Sequence, residues 1–389
     1  MKKTILLFLF ILPLYFVTGQ IIKGRVVSDT GNLIPGVNIY IDGTKTGTIS
    51  KEDGTFSLSI SSTTLGNVVF QKDDFETFTT AASEVINKNL KVVLTKTTAI
   101  EEIRLVPYTP EAYRSYINYF LETFIGSDRE HVTIKNQKSL KFSYDKKNKF
   151  LKVKAPNTLI IENKNLGYEI QYNLISYSSD FNTRMVNYTG TSFFKETKST
   201  DKIKLNRMNA YDGSLLHFFR SIYNNQIPKE KFIVNHVVKV PNPKYPTEEE
   251  LKILDDFKQI VQSSAMLKIP ENISDISRRK NSQKPYALAI VKTQIPDSAY
   301  VERKDGKVLF SFKDMLQVNY QKYFYEIKGK EFIKEGLPIT LSSYLHPEGE
   351  VFEVTKEGNI SNPDQLINEG DFTKNKIENL LPLDYQLGD

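Results

Sequence analysis

Short apolar alternations separated by turn residues fill the first quarter of the chain. From Ile21 the runs IIKGRVV, PGVNIYI, GTIS, TFSLSI, NVVFQK, ETFTTA and NLKVVL follow one another to Leu94, broken by SDTGN, DGTKTG and KEDG. Side chains two apart on a strand share a face. Val37, Ile39 and Ile41 therefore make one apolar face, and Phe56, Leu58 and Ile60 make another. Strands with one dry face each predict a two-sheet sandwich of seven strands. Gly43 and Gly54, each preceded by Asp, read as tight-turn positions and not as ligand loops.

The period changes after Leu94. TKTTAIEEIRLVPYTPEA is rich in Thr and charge and is closed by Pro107 and Pro110, which marks a boundary. Thr109 ahead of Pro110 predicts a helix start, and Tyr113, Ile117, Phe120 and Phe124 keep helical spacing until Gly126. An aromatic stripe at that spacing is a core face. HVTIKN, SLKFSY, FLKVKA, TLIIEN, GYEIQYNLISY and TRMVNYT then predict strands again. Two helical patches interrupt them. YDGSLLHFFRSIYNN sets Leu215, Phe218, Phe219 and Ile222 on one side, and TEEELKILDDFKQIV opens with a Thr247 to Glu250 capping box. Strands return in KVLFSF, MLQVNYQKYFYEI and ITLSSYLH.

Ahead of all this stands MKKTILLFLFILPLYFVTGQ, with Lys2 and Lys3, an apolar run from Ile5 to Val17, and Gly19. It has the form of a secretory signal peptide cut after Gly19. Its run is short of the roughly 20 residues that span a bilayer. No later stretch is apolar enough to cross a membrane as a helix, so no transmembrane segment is expected in the mature chain. The absence of Cys excludes disulfides and a cysteine-linked lipid anchor for these residues. The formal charge of +6 falls to +4 when Lys2 and Lys3 leave, too little to point to nucleic acid.

IKGRVVSDTGNLIPGVNIYIDGTKTGTISKEDGTFSLSI resembles the carboxypeptidase regulatory-like domain, a transthyretin-like sandwich. Gly24-Arg25-Val26-Val27, Pro35-Gly36-Val37, Gly43-Thr44, Gly47-Thr48 and Asp53-Gly54 before Phe56 and Leu58 carry the resemblance, from residue 21 to about 95. In that family the module is a non-catalytic attachment to peptidases and stands at the N-terminus of TonB-dependent outer-membrane receptors. The resemblance implies a docking role with no catalytic residue. The chain departs from the family at QKDDFETF, where Asp73, Asp74 and Phe75 replace a Gly-Tyr pair. A second resemblance, carried by FLETFIGSDREHVTIKN, IIENKNLGYEIQYNL, YTGTSFF, NAYDGSLLHFFRSIYNN and ENLLPLDY, is to an uncharacterised bacterial envelope-protein family that follows this module. It implies a location and a domain order.

The expected fold is mainly β: an N-terminal seven-stranded transthyretin-like β-sandwich plus a larger β-rich α+β region with a few docked helices. The expected organisation is signal peptide 1–19, regulatory-like sandwich 20–98, linker 99–110 and a β-rich domain 111–389, with a possible division near 246–284.

Chemistry is sparse. The four His, at 131, 217, 236 and 346, lack the partner spacing of zinc peptidases: HExxH is absent, and Pro347, Glu348 and Gly349 follow His346. His217 between Leu216 and Phe218 reads as a packed helix residue. No G-x-S-x-G elbow occurs. Tyr211-Asp212-Gly213-Ser214 is the nearest to an active turn, and Asp212 or Ser214 as a helix N-cap explains it. Lys135, Lys138, Lys141, Lys146, Lys147, Lys149, Lys152 and Lys154 face only Asp145, which reads as a solvated face or a protected edge. An anionic lipid or glycan partner is the rival reading of that run. No catalytic, cofactor-binding or metal-ligating residue is assigned and no cofactor is expected. The functional expectation is an exported, periplasmic or outer-membrane-associated binding or scaffold protein with an envelope protein or glycan as partner. An envelope peptidase or glycosidase is the alternative, because sequence alone cannot place two carboxylates across a substrate.

Overall fold

The computed structural model describes residues 20–60, 66–97, 106–263, 269–374 and 376–389. The segment read as a signal peptide, 1–19, and positions 98–105 of the boundary stretch lie outside the described residues. The chain is mainly β. It divides into two compact units, Met1–Met208 with Lys376–Asp389, and Asn209–Asn375.

The first unit opens with the seven expected strands: β1 (Gln20–Ser28), β2 (Asn38–Ile41), β3 (Gly47–Ile49), β4 (Thr55–Ile60), β5 (Asn67–Gln71), β6 (Phe78–Ala81) and β7 (Asn89–Leu94). They form two sheets, β4-β1-β7 and β3-β2-β5-β6. Val37, Ile39, Ile41, Phe56, Leu58 and Ile60 are all buried between them. β1 pairs parallel with β7 so closely that a Cβ on Gly24 would come within 2.2 Å of the Leu90 carbonyl oxygen. The Gly of the Gly24-Arg25-Val26-Val27 opening therefore fills a steric requirement. One helical turn, α1 (Ala82–Val85), joins β6 to β7. Four residues are too few to show a helical period.

Next come α2 (Pro110–Phe124) and a six-stranded sheet of β8 (Val132–Ile134), β9 (Lys141–Asp145), β10 (Phe150–Lys154), β11 (Leu159–Asn163), β12 (Tyr168–Asp180) and β13 (Met185–Glu196). Thr109 caps α2 by accepting the Ala112 N–H at 3.1 Å. Gly126 ends it at φ +122°, and the Glu378 carboxyl leaves no space for a side chain there. The aromatic stripe of α2 is buried on one face of the sheet: Phe120 meets Phe142 edge-on, and Phe124 meets Tyr172. Thr191 and Phe193 point from the opposite face toward the sandwich, where they meet Tyr40.

α3 (Asp201–Tyr211) has no apolar stripe to announce it. Buried Ile203 and Met208 and one buried cation hold it instead. Arg207, fully buried, donates to the carbonyls of Leu166 at 2.8 Å and Lys198 at 3.1 Å and to Glu196 at 2.9 Å, and its guanidinium lies 4.1 Å from the Tyr168 ring centroid.

The second unit contains α4 (Leu215–Tyr223), β14 (Phe232–Pro241), α5 (Glu248–Ser263), α6 (Glu271–Ser282), β15 (Tyr286–Lys292), β16 (Val301–Lys304), β17 (Lys307–Ser311), β18 (Met315–Lys328), β19 (Glu331–His346), β20 (Val351–Val354) and β21 (Ile367–Gly370). Its sheets run β15-β14-β18-β19-β21 and β16-β17-β20. Phe218, Phe219 and Ile222 of α4 join Phe232, Leu316 and Phe352 in one core. The capping box of α5 is present in both directions, Thr247 N–H to Glu250 at 2.9 Å and Glu250 N–H to the Thr247 hydroxyl at 3.3 Å. α6, whose sequence shows only Ile273 and Ile276 as apolar anchors, packs them with Leu254 and Phe257 of α5. Arg279 of α6 pairs with the same Glu250 and with Asp275.

Candidate functional site

The turn Tyr211-Asp212-Gly213-Ser214 lies between α3 and α4 and faces β18 and β19. Ser214 caps α4 by accepting the His217 N–H at 3.1 Å. Asp212 is buried, and its Oδ1 accepts from the Tyr320 hydroxyl and the Lys334 ammonium, both at 2.7 Å. Its Oδ2 is buried with no hydrogen-bond partner. Burial pushes the Lys322 ammonium below its ordinary range, against the pull of Asp212, and Lys322 donates to the Asn209 carbonyl at 2.6 Å. Lys334 is held above its ordinary range by Asp212, although burial acts the other way as the largest single influence.

His217 completes this group. Its Nδ1 accepts the Gly213 N–H at 3.1 Å, which leaves Nε2 to donate to Glu230 at 3.3 Å. Burial lowers its pKa from 6.5, against the pull of Asp212 and Glu230. The ring is thus neutral at pH 7, with both nitrogens occupied. An acyl-transfer triad needs the imidazole bonded to the nucleophile. Here the Ser214 hydroxyl takes a backbone N–H and the imidazole takes another, so the cluster ties a helix start to two strands.

The other three His each meet a carboxylate. His131 Nδ1 lies 2.9 Å from Asp128, His236 Nε2 lies 2.8 Å from Asp314, and His346 Nε2 lies 3.2 Å from Glu369. Among the described residues no group of three His, Asp or Glu side chains is placed to hold a metal ion. In the lysine run, Lys141 and Lys154 stand directly opposite each other on β9 and β10, and Lys135 reaches Glu162 and Glu169 at 3.6 and 3.7 Å. Strand β9 is the sheet's edge, and Lys on an edge disfavours pairing with other chains.

Two features had no clear signal in the sequence. The first is a clasp around the β2–β3 turn. The Gly43 N–H donates to Ser192 at 2.8 Å, the Phe194 N–H to Thr44 at 3.0 Å, and the Ser192 N–H to Asp42 at 2.8 Å. The C-terminal segment closes over the same turn: the Leu383 N–H donates to the Gly43 carbonyl at 2.7 Å, and the Lys45 N–H donates to Asp384 at 3.1 Å. Leu381 and Tyr385 are buried beneath it. Burial raises the pKa of Asp42 to about 6 and also raises that of Asp384. Beside the clasp is an open depression of about 530 Å³, lined by Lys45, Glu196, Lys198, Ser199, Lys204 and Asp389, whose charges of both signs offset one another.

The departure at QKDDFETF belongs to the same junction. Asp74 adopts φ +69°, a conformation that Asp tolerates, and Asp73 accepts from the Thr158 N–H and hydroxyl at 3.2 and 3.1 Å.

The second feature is a ribbon. Beyond Tyr320 and Leu341, β18 and β19 pair only with each other. Their register shifts between Lys322 and Phe324, where Gly336, Leu337 and Pro338 bulge opposite Tyr323. Leu337 is 92% exposed, and Phe324 and Ile339 are exposed near it. A bulge re-aims side chains, and here it aims a Leu into water.

Compared with known proteins, the chain has no match among curated proteins. Residues 22–105 match the family model of the CarboxypepD_reg-like domain, so the seven-stranded sandwich is similar to that module.

Proposed function

We propose that this is an exported cell-envelope protein of the binding or scaffold kind, in which the sandwich is a fixed mount and the second unit engages an envelope protein. Export is read from the signal-peptide form of Met1–Gln20, and the envelope setting from the two family resemblances. The observation that carries the binding role is the ribbon. A Leu held almost fully in water by a bulge, with Phe324, Ile339 and Tyr323 nearby, is an anchor suited to an apolar pocket on a protein. The exposed apolar side chains on this otherwise charged ribbon favour a protein over a glycan. The polar clusters, in contrast, are used in holding elements together.

The test is co-purification from cross-linked envelopes, alongside N-terminal sequencing of the exported form. The expected result is a mature start near Gln20 and a captured protein that Leu337→Glu loses at an unchanged thermal midpoint. Capture unaffected by Leu337→Glu would remove the ribbon from the binding role.

A further inference from the structure

Lysines on an edge strand discourage pairing with other chains, which accounts for Lys141 on β9. It does not account for Lys152 and Lys154. β10 lies between β12 and β9, and both lysines are exposed on it. Phe142, Leu151 and Val153 are buried on the α2 side of these strands, so Lys141, Lys152 and Lys154 share the opposite face. Lys141 and Lys154 stand directly opposite each other, which is destabilising. Elsewhere the chain offsets such charges. Among the described residues the other opposed lysines on antiparallel strands are Lys304 and Lys307, and Glu353 reaches Lys307 at 2.7 Å. On the same sheet as β10, Lys195 is opposite Glu169, 3.9 Å away. Lys141, Lys152 and Lys154 have no carboxylate within 4.0 Å among the described residues. The two carboxylates of their face are taken up by their own turns: Asp145 accepts the N–H groups of Lys147 and Asn148 at 2.9 and 3.1 Å, and Asp180 that of Asn182 at 2.8 Å.

We propose that this face of the first unit binds an acidic polysaccharide, with one carboxylate or phosphate group held between Lys141 and Lys154 and the next at Lys152. An anion between the opposed ammonium groups turns one repulsive pair into two attractive ones. Lys152 stands two residues, roughly 7 Å, along β10 from Lys154, so one extended polyanion reaches both positions. The row of residues across the sheet at Lys152 is polar throughout: Ser143 on β9, Ser178 on β12 and Asn187 on β13. Ser178 and Asn187 remain open to solvent and can bond sugar hydroxyls. An anionic bilayer would call instead for apolar side chains that enter it beside the cations. Hydroxyl and amide groups beside unpaired lysines fit a charged sugar chain. The face belongs to the unit read as the mount and is independent of the ribbon.

Calorimetric titration of the native chain with polygalacturonate and with a phosphorylated mannan tests this, neutral dextran serving as the blank. Saturable binding that weakens as salt rises is expected for the acidic polysaccharides and none for dextran. Lys154→Glu should weaken that binding about tenfold or more. The same change should raise the thermal midpoint, because the opposed pair becomes attractive. Lys23→Glu makes the same charge change at an exposed position of β1 and should keep the native affinity. Lys152→Gln, which only removes an exposed charge, gives a second reading of the loss if Lys154→Glu does not fold. No saturable binding to either acidic polysaccharide overturns the proposal. Equal losses in Lys23→Glu and the β10 variants would trace the binding to net charge and overturn it too. Phosphatidylglycerol vesicles bound as tightly as the polysaccharides, and lost with the same β10 variants, would make the ligand a membrane and overturn it as well.

Discussion

The Asp42–Lys45 turn of the first unit and the Gly336–Pro338 bulge of the second are both irregular backbone between paired strands, and the protein treats them in opposite ways. The turn is held by β13 on one side and by the C-terminal segment on the other, with the half-buried Asp42 carboxylate at its centre. The bulge projects a Leu into water. The same contrast holds more widely: among the described residues fifteen of the exposed large apolar side chains belong to the second unit and eight to the first, although the first is longer. Turns tied by internal bonds in one unit and apolar side chains left exposed in the other are the contrast on which the proposed split between mount and binding part rests.

The largest expected effect tests the closed side of this contrast. Tyr385→Ala should cost about 3 to 5 kcal/mol, as for other large buried aromatics. Chemical denaturation gives the value, and hydrogen exchange at β2 and β13 locates the loss. A value under about 1 kcal/mol would mean that the C-terminal segment only lies on the surface.

Arg207→Ala should follow at about 3 kcal/mol, because removing one member of a buried network leaves the Leu166 and Lys198 carbonyls without donors. The same measurement checks it.

A smaller effect depends on pH. Asp42 has a folded pKa of about 6, above its ordinary 3.8, because burial disfavours its ionised form. As pH falls from 7 to 5 the folded state takes up a proton that the unfolded state does not, so stability should rise. The gain is about 1 kcal/mol over that interval. Asp384, also raised by burial, acts in the same direction. Asp42→Asn should remove this pH dependence, so the native-minus-variant difference in stability should rise by about 1 kcal/mol from pH 7 to pH 5, and a difference that falls toward pH 5 would show that Asp42 is ionised and favourably held. On the open side, Leu337→Glu should change stability by less than about 0.5 kcal/mol, the usual range for surface positions.

How much of this was legible in the sequence follows the same division. The sandwich was readable because strands such as β4 and β7 alternate buried and exposed positions and most turns carry Gly or Asp, although β3 and β6 bury no residue and β2 and β5 are buried on both faces. α2, α4 and α5 were readable from Thr109, Ser214 and the Thr247–Glu250 box. α3 was not, since a buried Arg207 with only Ile203 and Met208 as large buried apolar residues leaves no periodic trace. α6 has too few apolar positions to show a period. The cap reading of Asp212-Gly213-Ser214 left Asp212 and Ser214 both open, of which Ser214 is the cap. It could not foresee that Tyr320 and Lys334, more than a hundred residues away, would converge on Asp212. The ENLLPLDY phrase was visible as a motif, but its use as a clasp depends on contacts across more than three hundred residues. Leu337 fell between the runs MLQVNYQKYFYEI and ITLSSYLH that read as strands, and only the register shift shows where it stands.

The most direct test of the division between mount and binding part compares two exposed positions in one capture experiment. Phe78→Glu alters the exposed face of the sandwich and Leu337→Glu alters the ribbon, and both residues are accessible in the folded chain. In cross-linked envelopes the Phe78→Glu protein is expected to capture the same partner as the native chain, and the Leu337→Glu protein to capture none of it. Loss of capture by Phe78→Glu with retention by Leu337→Glu would contradict the assignment and make the sandwich the binding part.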